Sequence, residues 1–361
     1  MSSSERVRHK RRIVIADDSP LMRSLLIEQI SGNSDFEVVG EAATGYEAIR
    51  LVHHLNPDVL TLDLAMPDLG GLEALHYIMS QAPLPVVIVS AQTRALAEPA
   101  MRALMEYGAV DIVPKPLGSS VADMQAFRQR LIQALYLSLT SRVRHAPAHT
   151  WTPQRDTHGE RMNHAHARCV VAIASSTGGP RALSQIVPRL PANLPAALLI
   201  VQHMPAVFTS YLARRLDALS ELTVVDAADG MPIEQGIAYV APGGLHLDLE
   251  RRDGRVHAKL TDGPALWGVR PAADVLFHGV ARTFGPASIA VVLTGMGRDG
   301  ADGARAIAAV GGTTLVQDEE SCVVPSMPRA AAAFADAVVP LDDIAGDIVA
   351  RATSRAATRR I

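Results

Sequence analysis

The sequence predicts an α/β protein of two domains: an N-terminal doubly wound (βα)5 domain and a C-terminal α/β domain with a mainly parallel sheet. Three observations lead there. Short β-branched runs alternate with segments of helical period from Arg12 to Pro116, the pattern of a parallel sheet covered by helices on both faces. A polar, aperiodic stretch then interrupts the pattern, and a second series of apolar runs begins at Cys169. The length of 361 residues suits two ordinary domains, and a hydrophobic content of 48% is enough to fill a core in each.

In the first series the strands read IVIA, EVVG, DVLTL, VVIVS and VDIV, each followed by a helical segment. The last helix is expected over residues 121–140, where apolar residues recur at helical spacing, so the domain spans residues 10–141. Residues 142–167 carry no hydrophobic period and read as a flexible linker. Five histidines fall there (His145, His149, His158, His164 and His166), but no cysteine or carboxylate stands at ordered spacing beside them, so a solvated segment is favoured over a metal site. The second domain, residues 168–361, runs CVVAIAS, AALLIVQ, LTVVDA, IAYVAP, GLHLDL, RVHAKL, IAVVLTG and TTLVQ, with helices expected near 181–189, 207–218, 272–284 and 301–310. Its β-rich middle predicts one antiparallel excursion from the parallel sheet.

Composition excludes several classes. A net charge of -3 gives no general attraction to nucleic acid, and the short basic head from Arg6 to Arg12 reads as a solvated tail. No apolar run approaches the 18 or so residues that cross a bilayer, and the N-terminus has no apolar signal core, so a cytoplasmic protein without membrane insertion is expected. Two cysteines, Cys169 and Cys322, fit a reducing compartment.

In a doubly wound sheet of order 2-1-3-4-5, Asp17 and Asp18 end the first strand and Asp63 ends the adjacent third. Three carboxylates at one edge make a hard-cation site, suited to Mg²⁺ and to phosphoryl transfer onto an aspartate. Ser90 ends the fourth strand and Lys115 follows the fifth, so a hydroxyl and an ammonium converge there to hold phosphoryl oxygens. The segments DDSPLMR, LDLAMPDLGGLEAL, VVIVSAQT and GAVDIVPKP resemble the signature of bacterial response-regulator receiver domains. That resemblance implies that Asp63 is the phosphoacceptor, Asp17 and Asp18 bind Mg²⁺ with it, Lys115 pairs with the phosphoryl group and Ser90 is the switch hydroxyl. It also implies a histidine kinase of the chemotaxis type as phosphodonor. Ile112 stands where many receivers have an aromatic residue that couples phosphorylation to surface change.

In the second domain Ser175, Ser176 and Thr177 fall on the turn between a buried strand and a helix opened by Gly178, Gly179 and Pro180. Unpaired N–H groups at such a helix start stabilise an anion, and neither GK[ST] nor GxGxxG stands at this turn to favour a nucleotide. A serine needs a base, and His203 ends the next strand; an acid must orient the imidazole, and Asp299 lies beyond another. STGGP, QHMP, YVAPGG, RPAADVLF, LTGMGRDG and SCVVPSMPRAA resemble, in order, the catalytic domain of the CheB family of chemotaxis protein-glutamate methylesterases. The resemblance implies Ser176 as nucleophile, His203 as general base and Asp299 as orienting acid, rather than the neighbours Ser175 and Asp302. It further implies hydrolysis of glutamate methyl esters on methyl-accepting chemoreceptors, deamidation of certain glutamines, and no cofactor for ester hydrolysis.

Two departures stand beside the motifs. Ala174 and Ser175 replace a usual Gly-Ala, and Leu266-Trp267-Gly268-Val269 replaces a more polar, basic stretch before Arg270-Pro271. The alternative reading is a non-catalytic response regulator acting by phosphorylation-dependent protein binding. As a transcription factor it reads poorly, because the second domain has no helix-turn-helix pattern.

Overall fold

The computed structural model describes residues 10–91, 93–118, 120–141 and 165–358. The chain divides into two compact units, Met1–His149 and Thr150–Ile361.

The first unit runs β1 (Arg11–Ala16), α1 (Pro20–Ser31), β2 (Phe36–Ala42), α2 (Gly45–Leu55), β3 (Val59–Leu62), α3 (Gly71–Gln81), β4 (Val86–Ser90), α4 (Arg94–Met105), β5 (Asp111–Pro114) and α5 (Val121–Thr140). Its parallel sheet has the order β2-β1-β3-β4-β5. The central strands are continuous apolar runs because helices cover both faces: Ile13, Ile15, Leu60, Leu62, Val86 and Ile88 are all fully buried. Helix starts follow local chemistry. Ser19 accepts a hydrogen bond from the Met22 N–H ahead of Pro20, and Thr44 does the same for Glu47.

The second unit runs β6 (Val170–Ser175), α6 (Gly179–Ile186), β7 (Ala197–Gln202), α7 (Ala206–Leu219), β8 (Thr223–Asp226), β9 (Ile237–Val240), β10 (His246–Arg252), β11 (Arg255–Thr261), α8 (Ala273–Phe284), β12 (Ser288–Val292), α9 (Ala301–Ala309), β13 (Thr313–Gln317), α10 (Ser326–Ala331), β14 (Ala337–Val339) and α11 (Leu341–Thr358). Seven strands form a parallel sheet of order β14-β13-β12-β6-β7-β9-β8, and β10 and β11 make the antiparallel excursion as a separate ribbon. Ala172, Ala174, Leu199 and Val201 pack with Leu276, Phe277 and Val280 of α8 in the main core. These are the strands that carry the site, so its floor is the best-buried part of the unit.

Most expected elements appear, with three differences. Residues 165–167, expected as the end of the linker, pair with the second unit: His166 bridges Glu234, and the Ala167 N–H donates to the Ile233 carbonyl at 3.2 Å. His145, His149, His158 and His164 lie outside the described residues. The helix expected near 181–189 starts earlier, at Gly179, and ends at Ile186 in a 3-10 turn that accommodates Pro188. Beyond β13 the short α10 and β14 and the long α11 had no sequence assignment; the alanine-rich stretch from Arg329 to Ala337 has neither a strong helical nor a strong strand period.

Candidate functional site

In each unit the chemistry gathers where the strand order reverses, outside the carboxyl ends of the strands. In the first unit Asp17 and Asp18 follow β1 and Asp63 follows β3, its direct neighbour. One oxygen from each of the three carboxylates lies within 4.8 Å of the others, with Asp17 and Asp63 buried and Asp18 exposed. Lys115, just past β5, reaches over β4 to place its ammonium 2.7 Å from Asp63 Oδ2 and 2.7 Å from Asp17 Oδ2. Burial raises the Asp17 carboxyl above its ordinary range, opposed by the bond from Lys115. Burial works against the Lys115 charge, but its bonds to Asp17 and Asp63 win and raise it. Ser90 is fully buried at the end of β4, and its carbonyl accepts the Lys115 N–H at 2.9 Å.

This donor set fits a hard divalent cation: three carboxylates, two of them shielded and the third on the solvent side, which would leave room for water and phosphate oxygens in the shell. Ile112, at the position noted for signal coupling, is buried in β5, and the adjacent Asp111 is clasped by Arg130 Nη2 at 2.9 and 2.8 Å.

In the second unit β6 lies between β12 and β7, and Ser175 is in register with Gln202. The next residue on each strand is therefore Ser176 beside His203. The two serines have different surroundings. Ser175 is fully buried and its hydroxyl is engaged with Gln202 Oε1 at 2.8 Å and the Val201 carbonyl at 3.2 Å. Ser176 keeps 8% of its surface accessible, and its hydroxyl has no hydrogen-bond partner among the described residues.

The turn that holds Ser176 is braced on every side. Its N–H donates to the Thr294 carbonyl at 3.1 Å, and its carbonyl accepts from Gln202 Nε2 at 2.9 Å. Two glycines permit this crowding. A Cβ on Gly179 would fall 2.1 Å from Gln202 Oε1, and one on Gly295 would fall 2.7 Å from the Ser176 Cβ.

His203 Nε2 lies 2.7 Å from Asp299 Oδ2. A carboxylate only accepts, so Nε2 carries the proton and Nδ1 presents its lone pair elsewhere, the reverse of the serine-protease arrangement in which Nδ1 faces the acid. Asp299 is held by helix starts. Its Oδ2 accepts the Ala273 N–H at 2.6 Å, and its Oδ1 accepts the Asp274 N–H at 2.9 Å and the Gly300 N–H at 3.0 Å.

Asp274 returns the arrangement. Its Oδ1 accepts from the N–H groups of Gly300 at 3.0 Å and Gly303 at 2.7 Å, and its Oδ2 accepts from Trp267 Nε1 at 2.8 Å. The start of α8 is thus capped by the loop that precedes α9, and the start of α9 by α8. Burial raises the Asp274 carboxyl, with the bonds from Gly303 and Trp267 opposing and the Asp299 charge reinforcing the shift.

The neighbouring Asp302 is half-buried and bonded to Arg305 at 2.8 Å. Neither thiol competes with the serine. Cys169 and Cys322 are both buried, and burial pushes the Cys322 thiol up to about 12.

Sequence reasoning passed over Gln202, Thr294 and Asp274. All three stand inside the motifs, but an amide, a hydroxyl or a carboxylate that serves mostly backbone N–H and carbonyl groups has no spacing signature. Among the described residues no helix is long and apolar enough to cross a membrane.

Comparison with known proteins agrees with this division. The family model described as CheB methylesterase matches residues 171–348, and the one described as response regulator receiver domain matches residues 13–126. A protein-glutamate methylesterase/protein-glutamine glutaminase of Symbiobacterium thermophilum is 42% identical over 97% of this chain and 99% of its own length. A protein of the same name from Pyrococcus abyssi is 41% identical over 94% of this chain and 93% of its own. The crystal structure of the Thermotoga maritima CheB methylesterase catalytic domain covers 50% of this chain and 97% of its own, at 44% identity and a TM-score of 0.50.

Proposed function

The chain belongs to the CheB methylesterase family, and from that premise we propose that Ser176, His203 and Asp299 hydrolyse glutamate γ-methyl esters on chemoreceptors under the control of phosphorylation at Asp63. The pairing of His203 with Asp299 at 2.7 Å, beside a serine whose hydroxyl is left open, carries the reading. His203 Nδ1 takes the Ser176 proton as Oγ attacks the γ-carbonyl carbon. The anionic oxygen that forms is stabilised by main-chain donors of the turn between β6 and α6 other than Gly179, whose N–H is bonded to the Ser176 carbonyl at 2.8 Å, and Pro180, which has none. The imidazolium, stabilised by Asp299, returns the proton to the leaving methoxide, and methanol departs from a glutamyl–Ser176 ester. Water, deprotonated by His203, then attacks that ester, Ser176 recovers its proton, and a free glutamate is released. With a glutamine side chain the same steps expel ammonia, which is the deamidase activity; no cofactor enters either reaction.

Control comes from the first unit. Asp63 accepts a phosphoryl group from a histidine kinase of the chemotaxis type, Lys115 and Ser90 hold its oxygens, and Asp17, Asp18 and Asp63 hold Mg²⁺. The cation supplies neutralisation of the phosphoryl charge. The protein acts in the cytoplasm, without nucleic acid and without membrane insertion. A binding-only response regulator is disfavoured by the retained serine, histidine and aspartate. The deciding experiment measures methanol release from radiomethylated receptor membranes with and without acetyl phosphate. Release that rises with the phosphodonor is expected, and its absence in both conditions leaves only the binding role.

A further inference from the structure

Residues 266–269 form a hairpin of two central residues, closed by the Leu266 N–H to the Val269 carbonyl at 3.1 Å and the Val269 N–H to the Leu266 carbonyl at 3.0 Å. Trp267 and Gly268 occupy it with left-handed φ values of 56° and 78°. Such a turn suits asparagine and glycine; for a bulky aromatic residue it is strained. Burial does not offset that cost, since the side chain belongs to a residue left 49% exposed. The indole is nevertheless fixed at two points. Its Nε1–H donates to Asp274 at 2.8 Å, and the Arg298 guanidinium lies 4.8 Å from the centre of its ring. Arg298 is exposed and immediately precedes Asp299. It has no carboxylate at ion-pair distance among the described residues, because Asp302, whose charge it feels, is bonded to Arg305. A strained, half-exposed ring that seats an exposed guanidinium next in sequence to Asp299 is a feature kept for a ligand.

We infer that Arg298, seated on Trp267, is a specificity-determining residue that takes up a free carboxylate of the substrate next to the reacting ester. The inference rests on the methylesterase reading. It follows from the reaction's own product: hydrolysis converts a neutral ester into a carboxylate, so a substrate with several esters gains anions beside those still to be cleaved. Removal of one methyl group then favours removal of the next.

Two helical peptides test it with the full chain, each with one glutamate γ-methyl ester, flanked one turn away on both sides by glutamates in one peptide and by serines in the other. The wild type is expected to prefer the acidic peptide about fivefold in kcat/KM, mostly through KM, with the preference fading as salt is raised. Arg298→Gln should bring the ratio to about one, and Arg298→Lys should restore part of it. Trp267→Gly, which suits the left-handed turn, should also lower the ratio by releasing the guanidinium. An equal ratio in the wild type and Arg298→Gln, or no preference in the wild type, overturns the inference. Direct binding of both peptides is measured alongside. Absence of methanol from both peptides and from receptor membranes counts against the methylesterase reading, while the binding ratio still decides the role of Arg298.

Discussion

The two sites occupy the same place in two different sheets, yet they hold their charges by different balances of donors. In the first unit, Asp17 and Asp63 share the Lys115 ammonium, 2.7 Å from each, and each accepts one backbone N–H, from Ser19 at 3.0 Å and from Ala65 at 3.3 Å. In the second, Asp299 is met by three backbone N–H groups from the starts of two helices and by one imidazole. Side-chain charges can be rearranged when a phosphoryl group or a cation arrives; backbone donors cannot. A site built from mobile charges suits a switch, and one built from fixed dipoles suits repeated turnover.

The contrast breaks most visibly if the second site tolerates loss of its reacting atom. Ser176→Ala is expected to lower methanol release by about 10⁶-fold, and His203→Ala by nearly as much, because the groups act as a unit. Ser175→Ala should lose far less, since its hydroxyl is already bonded to Gln202 and Val201. An inactive Ser175 variant beside an active Ser176 variant would identify the wrong serine, and steady-state kinetics on methylated receptor distinguishes them.

Asp299→Ala is expected to cut the rate by about 10⁴-fold. It should also destabilise the protein, by about 3 kcal/mol in urea unfolding, because buried N–H groups of Ala273, Asp274 and Gly300 are left without this acceptor. Full stability in that variant would mean that the helix starts do not depend on the carboxylate. Asp63→Asn provides the counterpart: acetyl phosphate should no longer label the protein or raise its rate, and labelling that persists would put the acceptor elsewhere.

The smallest effect concerns Asp17. Its carboxyl is raised above 3.8 in the folded protein, so between 3.8 and the raised value the native state holds a proton that the unfolded chain has released. Its contribution to stability is full below 3.8 and is lost as pH rises through the folded value. Asp17→Asn should therefore raise the unfolding midpoint at neutral pH and weaken stabilisation by added Mg²⁺. A variant less stable than the wild type at neutral pH would show that the Lys115 pairing outweighs the burial of charge.

Much of this was legible beforehand because it was written in strand ends. VVIVS and VVAIAS announce buried parallel strands, and a parallel sheet brings the residues just past its strands to one edge whatever their distance in the chain. Asp17, Asp63, Ser176 and His203 could be found in that way. Asp299 required more, since it lies beyond the end of β12, within a glycine-rich loop whose path no period announces. Gln202 and Asp274 were invisible as functional residues because most of their partners are main-chain groups, which leave no spacing in the sequence. Trp267 was noticed as a departure, but its left-handed backbone and its contact with Arg298 belong to a hairpin whose closure the sequence does not signal.

The reciprocal capping of α8 and α9 bears on how such a chain can decay. A descendant released from the need to hydrolyse esters could replace Ser176 at little cost to its architecture, because that hydroxyl bonds to nothing else in the described protein. Replacing Asp299 would loosen two helices at once. The acid should therefore outlast the nucleophile, and an inactive relative would be recognised by a vacant serine position beside an aspartate kept for the sake of the fold.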